Sequence, residues 1–232
     1  MLRIEQARAN NGGFVLAADF AVSAGSRVAV IGPSGAGKST LIGAIAGFVP
    51  METGRILWQD RDITRAAPGQ RPVAMLFQDG NLFPHLPIAE NVGLGLRPDL
   101  RLNPEQHTEV ARALDRVGLS GYENRRPGEL SGGQQSRAAL ARVLVQKRPL
   151  VLLDEPFAAL GPALKADMLD LVSELVKEAE ATLMMVSHDP GDARRIADQT
   201  IVVADGRAEA PCPTKDVLTN PPPALRAYLG RP

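Results

Sequence analysis

Apolar residues recur along this chain with two different periods. The first third carries short runs. Leu2 to Ala7 alternates loosely, Phe14 to Val22 forms a second run, and Arg27 to Ile31 is compact and rich in β-branched residues. These patterns predict strands, the third of them buried, with Ala24-Gly25 as the turn before it. Arg55 to Trp58, Val73 to Phe77, Leu150 to Leu153, Thr182 to Ser187 and Thr200 to Ala204 are further predicted strands, and Asp205-Gly206 is a hairpin turn signal. Between them the spacing turns helical. Lys38 to Ala46 is one such stretch. In another, Asn103 can cap, Pro104 suits the first turn, Val110, Leu114 and Val117 share a face, and Gly118 suits the end. A helix is expected from about Gly132 to Lys147, with Leu140, Val143 and Leu144 inward. Pro162 opens a long one with Leu164, Met168, Leu171, Val172, Leu175 and Val176 on one face. Thr214 is expected to cap a short final helix, and Pro221-Pro222-Pro223 interrupts the tail. Strands alternating with helices predict an α/β core with a mainly parallel sheet. Residues 86–148 read as a helical insertion, entered through a segment, 79–100, rich in Asn, Gly and Pro.

Composition narrows the class. The 26 Lys and Arg balance the 26 Asp and Glu, which gives no support for a nucleic-acid tail or a polybasic membrane anchor. With 44% hydrophobic and 22% charged residues the 232-residue chain is neither disordered nor collagenous, and it can bury a core. Cys212 is the one cysteine, so no disulfide framework exists. No run of about 18 apolar residues is present, so nothing is expected to span a bilayer. The start, Met1-Leu2-Arg3-Ile4-Glu5, is charged where a signal peptide needs apolar residues. The chain is therefore expected in the cytoplasm, unless a partner holds it at a membrane. An aromatic content of 4% argues against a stacking platform for single-stranded nucleic acid.

Three segments carry chemistry. Gly32-Pro33-Ser34-Gly35-Ala36-Gly37-Lys38-Ser39 fits G-x-x-x-x-G-K-(S/T), between a predicted strand and a predicted helix. Glycines let the backbone wrap phosphates with its N–H groups inward, and the helix adds its positive end. Lys38 can reach the β- and γ-phosphates, and Ser39 can offer a hydroxyl to Mg²⁺. Leu150-Val151-Leu152-Leu153-Asp154-Glu155 is a buried strand delivering two acids to its C-terminal end, where open α/β sheets bind ligands. Asp154 can hold Mg²⁺ and Glu155 can polarise a water at the γ-phosphate. Leu130-Ser131-Gly132-Gly133-Gln134 sets a hydroxyl and free N–H groups before a helix, a second place for an anion. Two phosphate-gripping loops on one chain suggest two chains sharing nucleotides, one supplying Lys38 and the other Ser131.

Phosphate loop, Gln78, the Leu-Ser-Gly-Gly-Gln run, the Asp154-Glu155 strand and His188 follow one another in an order that resembles ABC-transporter ATPases over nearly the whole chain. The resemblance implies a P-loop NTPase (RecA-like) core made of residues 1–85 and 149–232, with an N-terminal antiparallel β subdomain and a helical subdomain inserted over 86–148. It implies ATP and Mg²⁺ as ligands. Gly32 through Ser39 with Thr40 would bind nucleotide, and Ser131, Gly132, Gly133 and Gln134 would bind it from the opposing copy. Ser39, Gln78 and Asp154 would serve the metal. Glu155 would be the catalytic base, and His188 would contact the γ-phosphate. Gln78 would sense a membrane partner. The implied partners are a second copy of the chain, transmembrane permease subunits and, indirectly, a periplasmic solute-binding protein, with no nucleic acid. The implied place is the cytoplasmic face of the bacterial inner membrane.

Three departures from the family pattern stand out. Asn10-Asn11-Gly12-Gly13 lies where an adenine-stacking aromatic is usual, leaving Phe14 as the candidate. The loop after Glu155 reads Ala158-Ala159-Leu160-Gly161, without the usual hydroxyl and carboxylate. Gln135 stands where Arg is common. Within the family, Arg71 through Gln78, Asn81 to Phe83 and Gly93 to Leu96 resemble the ATPase subunits of bacterial thiamine importers, with iron(III), polyamine, sulfate and molybdate importers as competitors. Other classes fit less well. A small GTPase would need an N-K-x-D motif, and none is present. A chromosome-type ABC ATPase would place a long coiled coil between Gln78 and Ser131, where only 52 residues lie.

Overall fold

The computed structural model describes residues 1–78 and 80–228. Along the chain, β1 (Leu2–Asn11), β2 (Phe14–Val22) and β3 (Arg27–Ile31) precede α1 (Lys38–Ala46), and β4 (Met51–Trp58), β5 (Arg61–Asp62) and β6 (Val73–Leu76) follow it. Helices α2 (Ile88–Gly93), α3 (Pro104–Arg116) and α4 (Gly132–Leu144) form the middle. Then come β7 (Leu150–Asp154), α5 (Pro162–Glu178), β8 (Thr182–Val186), α6 (Pro190–Ile196), β9 (Gln199–Ala204), β10 (Arg207–Ala208), β11 (Cys212–Pro213), α7 (Thr214–Thr219) and α8 (Pro223–Tyr228).

One mixed sheet runs β5-β4-β1-β2-β10-β9-β3-β8-β7-β6, with β11 also paired to β9. Its two halves differ in kind. The β1, β2, β4 and β5 pairings are antiparallel, as hairpins over one wet face require. Strands β9, β3, β8, β7 and β6 are mutually parallel, so their C-terminal ends lie along a common edge. Each central strand is buried on both faces, and Leu150, Leu152, Leu153, Leu183, Met184 and Val186 are fully enclosed. That is why these strands read as unbroken apolar runs rather than alternating ones.

The insertion has its own core, in which Ile88 and Val92 of α2, Val110 and Leu114 of α3, and Ala138 and Ala141 of α4 pack together with Leu119 and Leu130. Helix α3 starts in a capping box. The Asn103 side chain accepts the Gln106 N–H at 2.8 Å, and the Gln106 side chain accepts the Asn103 N–H at 3.0 Å. Two ties run from the insertion to the sheet layer. Arg116 pairs with Glu178 of α5. Arg142 of α4 donates to the carbonyls of Gly80 (2.6 Å) and Asn81 (2.7 Å), just beyond β6.

Arg71 is 3% exposed, the least exposed cation among the described residues. It donates to the carbonyls of Ala44 and Ile45 in the last turn of α1, and to those of Thr64 and Ala66. A cation there opposes the negative end of the helix that carries the phosphate loop. Burial without a carboxylate contact lowers its pKa.

Two expectations need correction, and one helix was not anticipated. The helix beginning at Gly132 ends at Leu144, short of Lys147. Thr214 does not cap α7. It is the first helical residue, buried, and its hydroxyl pairs with that of Thr200 at 3.0 Å, closing the β9–α7 contact instead. The segment after β8 forms α6, with Asp189 accepting the Gly191 N–H at 2.8 Å and Pro190 at its first position. The Asp-Pro pair was the signal for it.

Candidate functional site

Strand β3 ends at Ile31, and the chain turns into the glycine loop at once. Gly32 has φ +154°, and a Cβ there would lie 1.9 Å from the Val203 carbonyl oxygen. Gly37 has φ +106° and would meet Phe14 Cε1 at 2.7 Å and Leu16 Cδ1 at 2.9 Å. Only glycine fits these two places, which lets the loop lie close against β2 and β9. No side chain caps α1, and its N-cap is Gly37. The first-turn N–H groups of Ser39 and Thr40 therefore stay free for an anion, an arrangement suited to phosphate. Lys38 is 7% exposed and donates to the carbonyls of Gly32 (2.9 Å) and Pro33 (2.8 Å). Burial lowers its pKa, while the charges of Glu155 and Asp154 push the other way.

The acids arrive from the next strands. Asp154 is the last residue of β7 and opposes Val186 of β8. The Ser39 hydroxyl donates to Asp154 Oδ1 at 3.0 Å. Burial raises the Asp154 pKa, the Ser39 hydrogen bond opposes this, and neighbouring Glu155 adds to it. Glu155 has φ +45°, a left-handed conformation uncommon for a side chain of this size, and its N–H donates to the Val186 carbonyl at 3.2 Å. That turn aims its carboxylate at His188, whose Nδ1 lies 3.3 Å from Glu155 Oε2. Leu76 of β6 pairs with Leu153 of β7, which sets Gln78, exposed in the turn beyond, on the same sheet edge.

The site thus joins Gly32 through Thr40, Asp154, Glu155, His188 and Gln78 along one edge. It does not join Ser131 through Gln134 to them by any hydrogen bond among the described residues. Ser131 caps α4, with its hydroxyl accepting the Gln134 N–H at 3.3 Å and the Gln134 side chain accepting the Ser131 N–H at 2.9 Å. A cleft of about 530 Å³ separates the two parts, lined by Gln78, Gly80, Gly132, Gln135, Pro156 and Leu160. Gln135 donates to the Leu130 carbonyl at 3.1 Å, so this unusual residue braces the loop before Ser131. Phe14 packs on Gly37, beside the phosphate loop.

The donors fit Mg²⁺. This ion prefers one or two carboxylates completed by phosphate oxygens and water over an all-protein cage. Asp154 with the Ser39 hydroxyl is such a pair, and no group of three or more His, Cys, Asp or Glu suited to a metal occurs among the described residues.

Sequence reasoning missed the residues around the His188 backbone. Lys165 of α5 reaches Asp189 (3.0 Å) and Asp192 (2.8 Å), and the Tyr228 hydroxyl donates to the His188 carbonyl at 2.9 Å. None lies in a local motif, so no sequence signal marks them.

Fold and site together define a nucleotide-hydrolysing ATPase of the phosphate-loop class. Residues 16–158 match the family described as ABC transporter. The thiamine import ATP-binding protein ThiQ of Ruegeria sp. (strain TM1040) is 62% identical over 230 residues, covering 99% of this chain and 100% of that protein. The protein of the same name from Cereibacter sphaeroides is 61% identical with the same coverage. The solved ADP conformation of MJ1267, an ATP-binding cassette of an ABC transporter, matches with a TM-score of 0.86 at 26% identity, over 100% of this chain and 99% of that one. The dimeric post-hydrolysis state of the cassette MJ0796, bound to ADP and Pi, matches with a TM-score of 0.80 at 27% identity, over 92% and 99%. The chain belongs to the ABC transporter family, as an ATP-binding, ATP-hydrolysing member.

Proposed function

We propose that this chain energises a bacterial importer of thiamine by hydrolysing ATP between two copies of itself. The observation that carries the solute is the full-length 62% identity to a thiamine import ATP-binding protein. The observation that supports the chemistry is the meeting of Glu155 with His188 beside the Asp154–Ser39 pair.

Each residue then has a task. Lys38 leaves the carbonyls of Gly32 and Pro33 for the β- and γ-phosphates, and free N–H groups of the loop and the first turn of α1, Ser39 and Thr40 among them, hold the remaining oxygens. Phe14 offers a ring beside the loop for adenine. Glu155 accepts a proton from the attacking water, and His188 holds that carboxylate and the γ-phosphate in line. Asp154, Ser39 and Gln78 hold Mg²⁺, which when bound supplies charge neutralisation at the phosphates. Ser131, Gly132, Gly133 and Gln134 of a second copy close the site from across the dimer. Gln78 and the adjoining cleft face permease subunits at the cytoplasmic side of the inner membrane, and these in turn meet a periplasmic solute-binding protein. No helix among the described residues is long and apolar enough to cross a membrane, in keeping with attachment through a partner.

The test is uptake of labelled thiamine in cells lacking the native copy, complemented with wild type or Glu155→Gln. Restoration by wild type alone supports both the solute and the need for hydrolysis. ATPase activity in the purified protein without restored uptake would discard thiamine and point to iron(III), a polyamine, sulfate or molybdate.

A further inference from the structure

An imidazole acts only where its backbone puts it, and the backbone around His188 is held from three elements. From α6, Asp192 Oδ2 accepts the Ser187 hydroxyl at 2.5 Å, and the same hydroxyl accepts the Asp189 N–H at 3.0 Å, closing a tight turn around His188. From α5, the Lys165 ammonium bridges Asp189 Oδ2 and Asp192 Oδ1 at 3.0 and 2.8 Å. From α8, the Tyr228 hydroxyl donates to the His188 carbonyl at 2.9 Å. The imidazole itself is half-exposed, so its freedom to turn contrasts with the restraint on its main chain.

Surface ion pairs are worth little, but the Lys165–Asp192 arm of this bridge is largely buried, while the Asp189 carboxylate is 46% exposed. The Lys165 side chain is 16% exposed and that of Asp192 9%. Burial opposes the Lys165 charge, yet hydrogen bonds to Asp192 and Asp189 outweigh it, and its pKa is raised. The placement of Lys165 gives the bridge its meaning. It is the fourth residue of α5, and its own N–H donates to the Gly161 carbonyl at 2.9 Å, so it is fixed to the end of the loop Pro156–Gly161. That loop follows Glu155 directly and lacks polar side chains of its own at Ala158 and Gly161.

We propose that Lys165 and Tyr228 are positioning residues that hold the chain at and just after His188, Tyr228 through the His188 carbonyl and Lys165 through the Asp189 and Asp192 carboxylates, so that the loop 156–161 and helix α8 set where the imidazole meets Glu155. The proposal rests on the assignment of His188 and Glu155 to the hydrolytic site. Neither Lys165 nor Tyr228 touches nucleotide in this scheme, and both act through His188.

Steady-state ATPase kinetics of the full chain test it, with Tyr228→Phe, Lys165→Met and Lys165→Arg made in wild type and in His188→Ala. Tyr228→Phe removes one exposed hydroxyl and lowers kcat about fivefold, the effect of one neutral hydrogen bond, with KM for ATP unchanged. Lys165→Met lowers kcat about tenfold or more, as expected when a charge-assisted tie is lost, and Lys165→Arg recovers most of it. In the His188→Ala background both losses disappear, because residues acting through one group are non-additive. Losses of equal size in both backgrounds, or unchanged kcat for Tyr228→Phe and Lys165→Met, overturn the proposal. Unaltered kcat in His188→Ala itself strikes the assignment of His188, and positioning falls with it. An unchanged thermal midpoint for Tyr228→Phe shows that the lost rate is not lost fold.

Discussion

Two helices in this molecule begin at glycine-rich sequences, and they begin in opposite ways. Helix α1 has no side-chain cap. Its N-cap is a left-handed glycine, and its first-turn donors are left open beside a buried lysine. Helix α4 is capped at both donors by Ser131 and Gln134, on an exposed loop. An uncapped helix start is costly unless something else satisfies it. Helix α1 thus leaves its first-turn donors open and is braced at its far end by Arg71. Helix α4 satisfies part of its own start, with the Ser131 hydroxyl already engaged by the Gln134 N–H. Under the proposed function the first serves nucleotide bound by its own chain. Under the same proposal the second serves another copy; the solved cassette MJ0796, similar to this chain, is dimeric.

This contrast can be broken at several points. Glu155→Gln strikes the chemistry on the α1 side. The rate of ATP hydrolysis should fall about a thousandfold while a nucleotide-bound dimer accumulates on size exclusion. Normal turnover would place the base elsewhere. Lys38→Ala removes the buried cation and should weaken nucleotide binding about a hundredfold in equilibrium titration, which unchanged affinity would refute. Ser131→Ala should behave differently. It should cost about 1 kcal/mol or less of stability as a lost cap, leave nucleotide affinity of the monomer alone, and lower dimer-dependent kcat about tenfold. A loss of monomer affinity would mean that Ser131 serves its own chain.

The smallest effect concerns pH. Burial and Glu155 raise the Asp154 pKa above its unfolded value, so the native state keeps a proton that the unfolded chain has released. Stability of the nucleotide-free protein should fall as pH rises through the interval between the two values, and remain lower above it. Asp154→Asn should flatten that fall and raise the melting temperature at neutral pH, at the expense of hydrolysis. Parallel melting curves for the two proteins across pH would remove the charge cost assigned to this side.

Much of this was legible because local chemistry and tertiary structure agree. Four enclosed residues ending in two acids can hardly be anything but a buried strand delivering charge to an edge, and β7 is that strand. A glycine loop between strand and helix admits few geometries. The hairpin at Asp205-Gly206 followed from two residues able to take positive φ, which they do at +47° and +70°. What escaped notice depends on long-range contacts. Strands β10 and β11 have two residues each and exist through pairing with β2 and β9. Thr214 looked like a cap because its hydroxyl could serve, but Thr200 competes for it across the fold. Lys165 meets residues 24 and 27 positions away and Tyr228 one 40 away, separations that no motif encodes.

Helix α4 has a mechanical consequence. Ser131 stands at its start, and Arg142, eleven residues on and about 16 Å along the axis, grips the two carbonyls that follow the Gln78 turn. A rigid rod anchored at one end to the segment beyond β6 and exposing a serine at the other is a lever. Gln78 and Ser131 are thereby joined through one helix, whose side lines the cleft between them.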